Sequence, residues 1–438
     1  MLLDPTTLLL GCAALIVCAA LVASFVRWPV WAIGLYIAVQ LWQTRQNMHQ
    51  PVPGAGLVLL PTDVLAVCLL VAALIMLTRN RGRRAPALLL ALLGLTAYAL
   101  IRGAGLFGLQ AAGNEARIHF IQLFCVTLFV AVLSPGRNLA RAFTLIWVLA
   151  ACALSCLAVV GWLNVGIGSN SDRIMVDGAL TGTRPVSAAE AMIIGQAATI
   201  LLCGRRSVRG RALAWLLLVV VILAQHRTVW LATGVMITGW LLSRHRQTGS
   251  RTAALGVLGS LSMLYLGAVS WGTADEVTSS LAASSEDDRT LVWRMEGWHA
   301  LLPQLAEVPD WLLGLPFGSG YDRVINGAFV AVSPHNYYLE VLMRLGLLGV
   351  ALLLLVYATA WRAAGADSEH KLMLRLLICS QLVYMITYSL SPEQAVILGL
   401  SVACEQPRGA CRPPSLEESP CLTKPHSSPA SPARTARI

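Results

Sequence analysis

Ser333–Arg362 reads SPHNYYLEVLMRLGLLGVALLLLVYATAWR. Ser333 suits a helix N-cap and Pro334 the first helical position. The spacing therefore predicts a helix that carries His335 and Asn336 in its first turn. From Tyr337 to Trp361 the run is long enough to cross the hydrocarbon core of a bilayer. It ends on Arg362, a basic residue of the kind that anchors the inner face.

Comparable apolar runs recur near 6–25, 28–43, 57–77, 86–102, 119–134, 139–163, 186–203, 211–224, 227–243, 252–271 and 372–390. With 337–361 they predict an all-α polytopic membrane protein of about twelve transmembrane helices. The composition agrees: of 438 residues 57% are hydrophobic and 12% charged, with a mean hydropathy of +0.68. A soluble protein of this length needs more charge to cover its surface. The first run lacks a basic leader and a small-residue cleavage site, so it reads as a membrane helix and not a removed signal peptide. The net charge is +10, but the basic residues sit in short loops between apolar runs, so membrane lipid and not nucleic acid is the expected partner. Eight of the eleven cysteines lie inside apolar runs, and no spacing suggests zinc or a disulfide framework.

Arg79, Arg81, Arg83, Arg84, Arg137, Arg141, Arg205, Arg206, Arg209, Arg211, Arg244, Arg246, Arg251, Arg362 and Lys371 fall in five loops on one side if each intervening span crosses once. That side is the cytoplasmic one. The opposite side then carries 102–118, 164–185, the tight Gln225-His226-Arg227 turn and 272–336, and the N-terminus. The expected organisation is membrane helices over 1–271, a large outer loop over 272–336, membrane helices over 337–403 and a disordered or aberrant tail over 404–438. Within the loop, LVWRMEGWHALL (Leu291–Leu302) has apolar residues at helical spacing and predicts a short amphipathic helix on the membrane. GLPFGSG (Gly314–Gly320) is a turn-rich break. The run Ala395–Ala403 is too short to cross a bilayer. Beyond it the Pro-, Ser- and Arg-rich stretch reads as disordered, as though a final helix had been replaced; no function is assigned to it.

Arg102, Arg117, Arg184 and Arg227 all fall at helix ends on the outer face, against the positive-inside trend. Single arginines there can simply snorkel. Four of them with His335 would suit a polyanion, and a lipid-borne pyrophosphate is the natural candidate. A helix N-terminus disfavours imidazolium, which would keep His335 neutral and able to accept a proton, and its amides favour an anion. An interfacial belt formed by His335, Asn336, Tyr337 and Tyr338 is the alternative. Arg227 opens a span straight after the outer turn. Arg294 and Trp298, four apart, share a face of the loop helix; Arg289 lies close by, facing the same site or paired with Asp287 or Asp288. Arg184 precedes Pro185, which opens another helix, with Glu190 one turn further in. Asp63 caps the span that begins after Pro61. No outer His/Asp/Glu spacing calls for a metal or cofactor.

These residues resemble the O-antigen ligase and O-antigen polymerase superfamily of bacterial envelopes. The likeness rests on the histidine-asparagine helix start (PHNYYLEVLMRLGLLG), the arginine that opens a late helix (HRTVWLA) and the arginine-tryptophan loop helix (RTLVWRMEGW), and it covers roughly residues 57–390. It implies a donor glycan on undecaprenyl pyrophosphate and, for the ligase, a sugar hydroxyl of lipid A-core as acceptor. Transfer would occur at the periplasmic face of the inner membrane, inverting and without metal or nucleotide. His335, Arg227 and Arg294 match the family's essential residues, with Arg184, Arg289, Asn336, Tyr338, Arg102 and Arg117 as expected substrate contacts. A polymerase or a protein O-oligosaccharyltransferase shares the donor chemistry. A lipid-linked glycan transporter would instead need ionisable groups at the bilayer midplane, where the spans read as apolar.

Overall fold

The computed structural model describes residues 5–46, 59–78, 85–133, 137–167, 173–176, 179–182, 184–204, 207–245, 289–325, 327–365 and 370–404. The expected span at 252–271, the acidic run at 286–288 and the tail beyond 404 lie outside them. The described chain is almost entirely helical: α1 Pro5–Arg27, α2 Pro29–Arg45, α3 Pro61–Leu77, α4 Ala85–Phe107, α5 Leu109–Ala116, a π-helical turn Arg117–Gln122, α6 Leu123–Val132, α7 Arg137–Val165, α8 Ala188–Cys203, α9 Val208–Leu223 and α10 Arg227–His245. There follow α11 Arg289–Leu301, α12 Val308–Leu313, α13 Tyr337–Ala364, α14 Lys371–Tyr384 and α15 Gln394–Ala403. Two antiparallel hairpins, β1 (Arg173–Val176) with β2 (Ala179–Gly182) and β3 (Arg323–Ile325) with β4 (Ala328–Val330), are the strands among the described residues. Four helical stretches there are long and apolar enough to cross a membrane: Pro86–Phe107, Leu109–Val132, Leu139–Asn164 and Tyr337–Ala364. The chain is thus an all-α membrane protein.

Two expected boundaries move. The span near 119–134 begins ten residues earlier, because α5, the π-helical turn and α6 run on as one stretch, so Arg117 lies within a helix and not in an outer loop. The short run after Gln394 forms α15, whose residues are all buried. It packs on α6 and α13. A buried amide network fixes its start: Gln196 Nε2 donates to Gln394 Oε1 at 2.7 Å and Gln381 Nε2 to the Gln394 carbonyl at 2.7 Å. With no water in the hydrocarbon region, such groups must satisfy one another.

The interior is also less apolar than its sequence suggests. Arg344, fully buried in α13, forms an ion pair with Glu115 of α5. Its Nη1 donates to Ser319 Oγ at 2.7 Å, its Nη2 donates to the Gly320 carbonyl, and the guanidinium lies 4.3 Å from the Tyr321 ring centroid. Glu115 also accepts from the Gly318 amide at 2.5 Å. One charge pair thereby fastens the turn-rich stretch to the helices. Just beyond it α13 breaks at Gly346, at φ 64°. A Cβ there would collide with the Leu312–Leu313 backbone, so glycine permits both the conformation and the close approach. The break leaves the Met343 carbonyl to accept from Leu315 N–H at 2.7 Å.

The amphipathic helix expected at 291–302 is α11. Its apolar side packs on the first half of α13: Leu301, Leu305, Tyr321, Leu339 and Met343 form a small buried cluster flanked by Trp298 and Leu302.

Candidate active site

The start of α13 differs from its sequence reading. Asn336, not Ser333, is the N-cap, its Oδ1 accepting from Leu339 N–H at 3.1 Å, and the helix begins at Tyr337. The Asn336 side chain is therefore engaged in capping. His335 stands just outside the helix in the left-handed region, at φ 52°. A non-glycine residue there costs on the order of 1 kcal/mol or more and needs its surroundings to hold it.

Those surroundings come from four elements. Trp298 of α11 donates its Nε1–H to the Pro334 carbonyl at 2.7 Å, so the loop helix grips the residue before the histidine. One turn earlier Arg294 donates to the Thr387 carbonyl at 3.0 Å, and its guanidinium lies 5.0 Å from the Tyr388 ring centroid. The 294/298 spacing thus places both side chains on the segment after α14 and on the turn before α13. Tyr388 stacks on Tyr384 at 5.0 Å and meets the His335 ring edge-on at 6.5 Å. Tyr337 N–H donates to the Met385 carbonyl at 2.9 Å, locking the two segments together.

The α9–α10 turn supplies the third side. It is as tight as its sequence implied, with Gln225 at φ 55°, and it presents His226 and Arg227. His226 Nε2 donates to the Val186 carbonyl at 2.9 Å, leaving Nδ1 to accept from Arg184 Nη1 at 3.2 Å. Burial, and after it the neighbouring Arg184, holds the His226 imidazole down at about 4 despite that carbonyl, which fits this neutral tautomer. Arg184 in turn has its guanidinium pKa lowered by burial first; the Tyr388 hydroxyl raises it and Arg227 lowers it. Pro185 does not open the helix as expected, because Ser187 caps α8 in a reciprocal box with Glu190 and the helix begins at Ala188. Glu190 pairs with Arg45 at 2.7 Å, and Arg45 Nη1 donates to the Pro185 carbonyl at 2.7 Å, fixing the segment that carries Arg184.

His335, Arg294, Arg184 and Arg227 are thus brought together at one end of the bundle. The His335 imidazole is pushed down to about 4, by burial first and then by the charges of Arg294, Arg323 and His119. It is neutral at pH 7 and carries a free base, but for a different reason from the helix terminus expected of it. Arg184 Nε and Arg294 Nε are buried and have no hydrogen-bond acceptor. Buried donors are costly to leave unmet, so the pair is suited to an anion with several oxygens.

Other expected contacts are engaged by partners of their own. Tyr338 donates its hydroxyl to the Leu382 carbonyl at 3.1 Å and braces α13 on α14. Arg102 pairs with Asp310 at 3.8 Å, and Arg117, largely buried, with Asp63 at 3.6 Å. Asp63 caps α3 as read from sequence, accepting from Leu60 N–H at 2.8 Å. The side chain of Arg289 lies outside the described residues. Tyr388, His226 and Arg323 were not singled out from the sequence. Tyr384 and Tyr388, four apart near the end of a span, and a histidine beside Arg227 were the available signals. Among the described residues no three His, Cys, Asp or Glu side chains cluster as metal ligands.

Residues 212–354 match the family model described as O-Antigen ligase. The matched stretch runs from α9 into α13 and contains Arg227, Arg294 and His335, which supports the family resemblance carried by the three motifs. It is shorter than the 57–390 over which the sequence likeness was read. No curated protein matches the chain.

Proposed function

Taking the O-antigen ligase match as premise, we propose that this protein transfers a glycan from undecaprenyl pyrophosphate to a sugar hydroxyl of lipid A-core. In this reading the site lies at the periplasmic face of the bacterial inner membrane, above 1–271 and 337–403 as the membrane-spanning parts. The observation that carries it is the meeting of two half-buried arginines, Arg184 and Arg294, whose buried Nε–H donors are unmet, beside a neutral His335.

The chemistry follows from what each group can do. A sugar hydroxyl is a poor nucleophile, and His335 takes its proton as the oxygen bonds to the anomeric carbon. The bond from that carbon to the pyrophosphate oxygen breaks, and the electron pair leaves with the phosphate. Attack opposite the leaving group inverts the anomeric centre. The pyrophosphate needs its growing charge neutralised more than it needs a proton, and Arg184, Arg227 and Arg294 do this with directed N–H donors. They occupy the role that metal ions fill elsewhere, so transfer is expected to proceed unchanged in EDTA; loss of rate that added Mg2+ or Mn2+ restores would refute that point. Bound pyrophosphate also offsets the positive field that depresses His335, so the base strengthens when the donor is in place.

The test is transfer in membranes from lipid-linked glycan to lipid A-core, wild type against Arg184→Ala. The reading expects glycan on the core, with a loss of roughly 10- to 1000-fold in the variant. Wild-type rates from Arg184→Ala would count against the anion site.

A further inference from the structure

Glu340 lies one turn inside α13 and is 1% exposed. A carboxylate is costly to bury without partners, and here both partners belong to the segments that form the site. Its Oε1 accepts from the hydroxyls of Ser333 and Ser389. The Ser333 hydroxyl also receives the His335 amide at 3.4 Å, and Ser389 directly follows Tyr388. Glu340 Oε2 is buried without a hydrogen-bond partner. One carboxylate oxygen therefore ties the turn that carries His335 to the segment that carries the ring it rests on. Neither link is needed to hold α13 to α14, which the Tyr337 amide and the Tyr338 hydroxyl already join.

We propose that Glu340 is a positioning residue for His335: through Ser333 and Ser389 its carboxylate keeps the imidazole in the left-handed turn and against Tyr388. The inference rests on the reading of His335 as the base. It accounts for how a residue at φ 52° is kept in one place, and it separates this end of α13 from the Arg344–Glu115 pair, which fastens a different loop.

The experiment measures kcat and donor KM in membranes containing lipid-linked glycan and lipid A-core, for wild type, Glu340→Gln, Glu340→Leu and Ser389→Ala. Glutamine keeps an oxygen that accepts both serine hydroxyls, so Glu340→Gln is expected within about threefold of wild type. Leucine has similar length and no acceptor; a misplaced base costs roughly 10- to 100-fold in kcat, with donor KM within about twofold. Ser389→Ala removes the hydroxyl that meets both Glu340 and, at 3.2 Å, Ser333, and leaves α13 untouched, so about a tenfold fall in kcat at unchanged KM is expected of it. It decides the matter if Glu340→Leu does not insert. Wild-type kcat in Glu340→Leu or in Ser389→Ala overturns the proposal, as does a Glu340→Gln rate as low as that of Glu340→Leu. His335→Ala is run beside them. Transfer that survives it removes the base and this inference together, whereas transfer lost with His335→Ala and intact in the other variants removes this inference alone.

Discussion

His335 takes its acidity from where it sits. Burial and the charges of Arg294 and Arg323 favour the uncharged ring, so its pKa falls to about 4 from the ordinary 6.5. The free protein then keeps its base as pH falls through 6.5 and loses it only on approach to 4. In a pH series, kcat/KM is expected to stay level from pH 7 to about 5 and to drop below that, since kcat/KM reports the free enzyme. The acid limb of kcat is expected at higher pH, because the bound donor offsets the arginines. A kcat/KM limb centred near 6.5 would contradict this electrostatic picture. Arg294→Lys keeps the charge and loses the planar fork that reaches the Thr387 carbonyl and covers Tyr388; transfer is expected to fall roughly tenfold or more, and an unaffected rate would show that charge alone suffices. Residue type, spacing and the family resemblance singled out His335 and the arginines one by one, but not that they meet. Tyr388 could not, because a tyrosine near a span end is ordinary at a membrane interface and its role comes only from what folds against it.

At the scale of elements, the site depends on where α13 starts and where it breaks. Ser333-Pro334 resembles a helix start in sequence, yet the hydroxyl of Ser333 is engaged by Glu340 and the cap passes to Asn336. Tertiary contacts outcompeted local capping there. The break at Gly346 was visible only as a glycine in a Gly-x-x-Gly run; that it admits the backbone of α12 was not. Gly346→Ala is expected to destabilise the protein by more than about 1 kcal/mol, since it adds a steric clash to an unfavourable φ. Thermal unfolding in detergent measures this, and an unchanged midpoint would argue against the close approach. Arg344→Met leaves Glu115 without its counter-ion, a loss on the order of 3–5 kcal/mol, while Arg344→Met with Glu115→Gln should recover much of it. Equal destabilisation by the single and double variants would exclude the pair as the cause. The arginine-tryptophan loop helix, by contrast, was legible from its 294/298 spacing, because both side chains must leave one face of α11.

For the whole molecule, apolar runs were enough to identify a helical membrane protein, and ten of the expected spans fall on described helices with shifted ends. An eleventh run, near 119–134, merges into a longer stretch, since a π-helical turn continues the helix where polar residues suggested a loop. Buried amides and ion pairs inside the bundle were illegible for a related reason: Gln196, Gln381 and Arg344 lie within apolar runs and Gln394 at the edge of one, and only packing brings them to partners. The same packing gathers cations from the segment before α8, from α10 and from α11 at one end, the proposed place of glycan transfer. The measurement that tests it most directly supplies membranes with lipid-linked glycan and lipid A-core, using wild type or His335→Ala at equal expression. Glycan is expected on the core with wild type and not with the variant. Lengthened lipid-linked glycan in place of a modified core, or full transfer by His335→Ala, would contradict it.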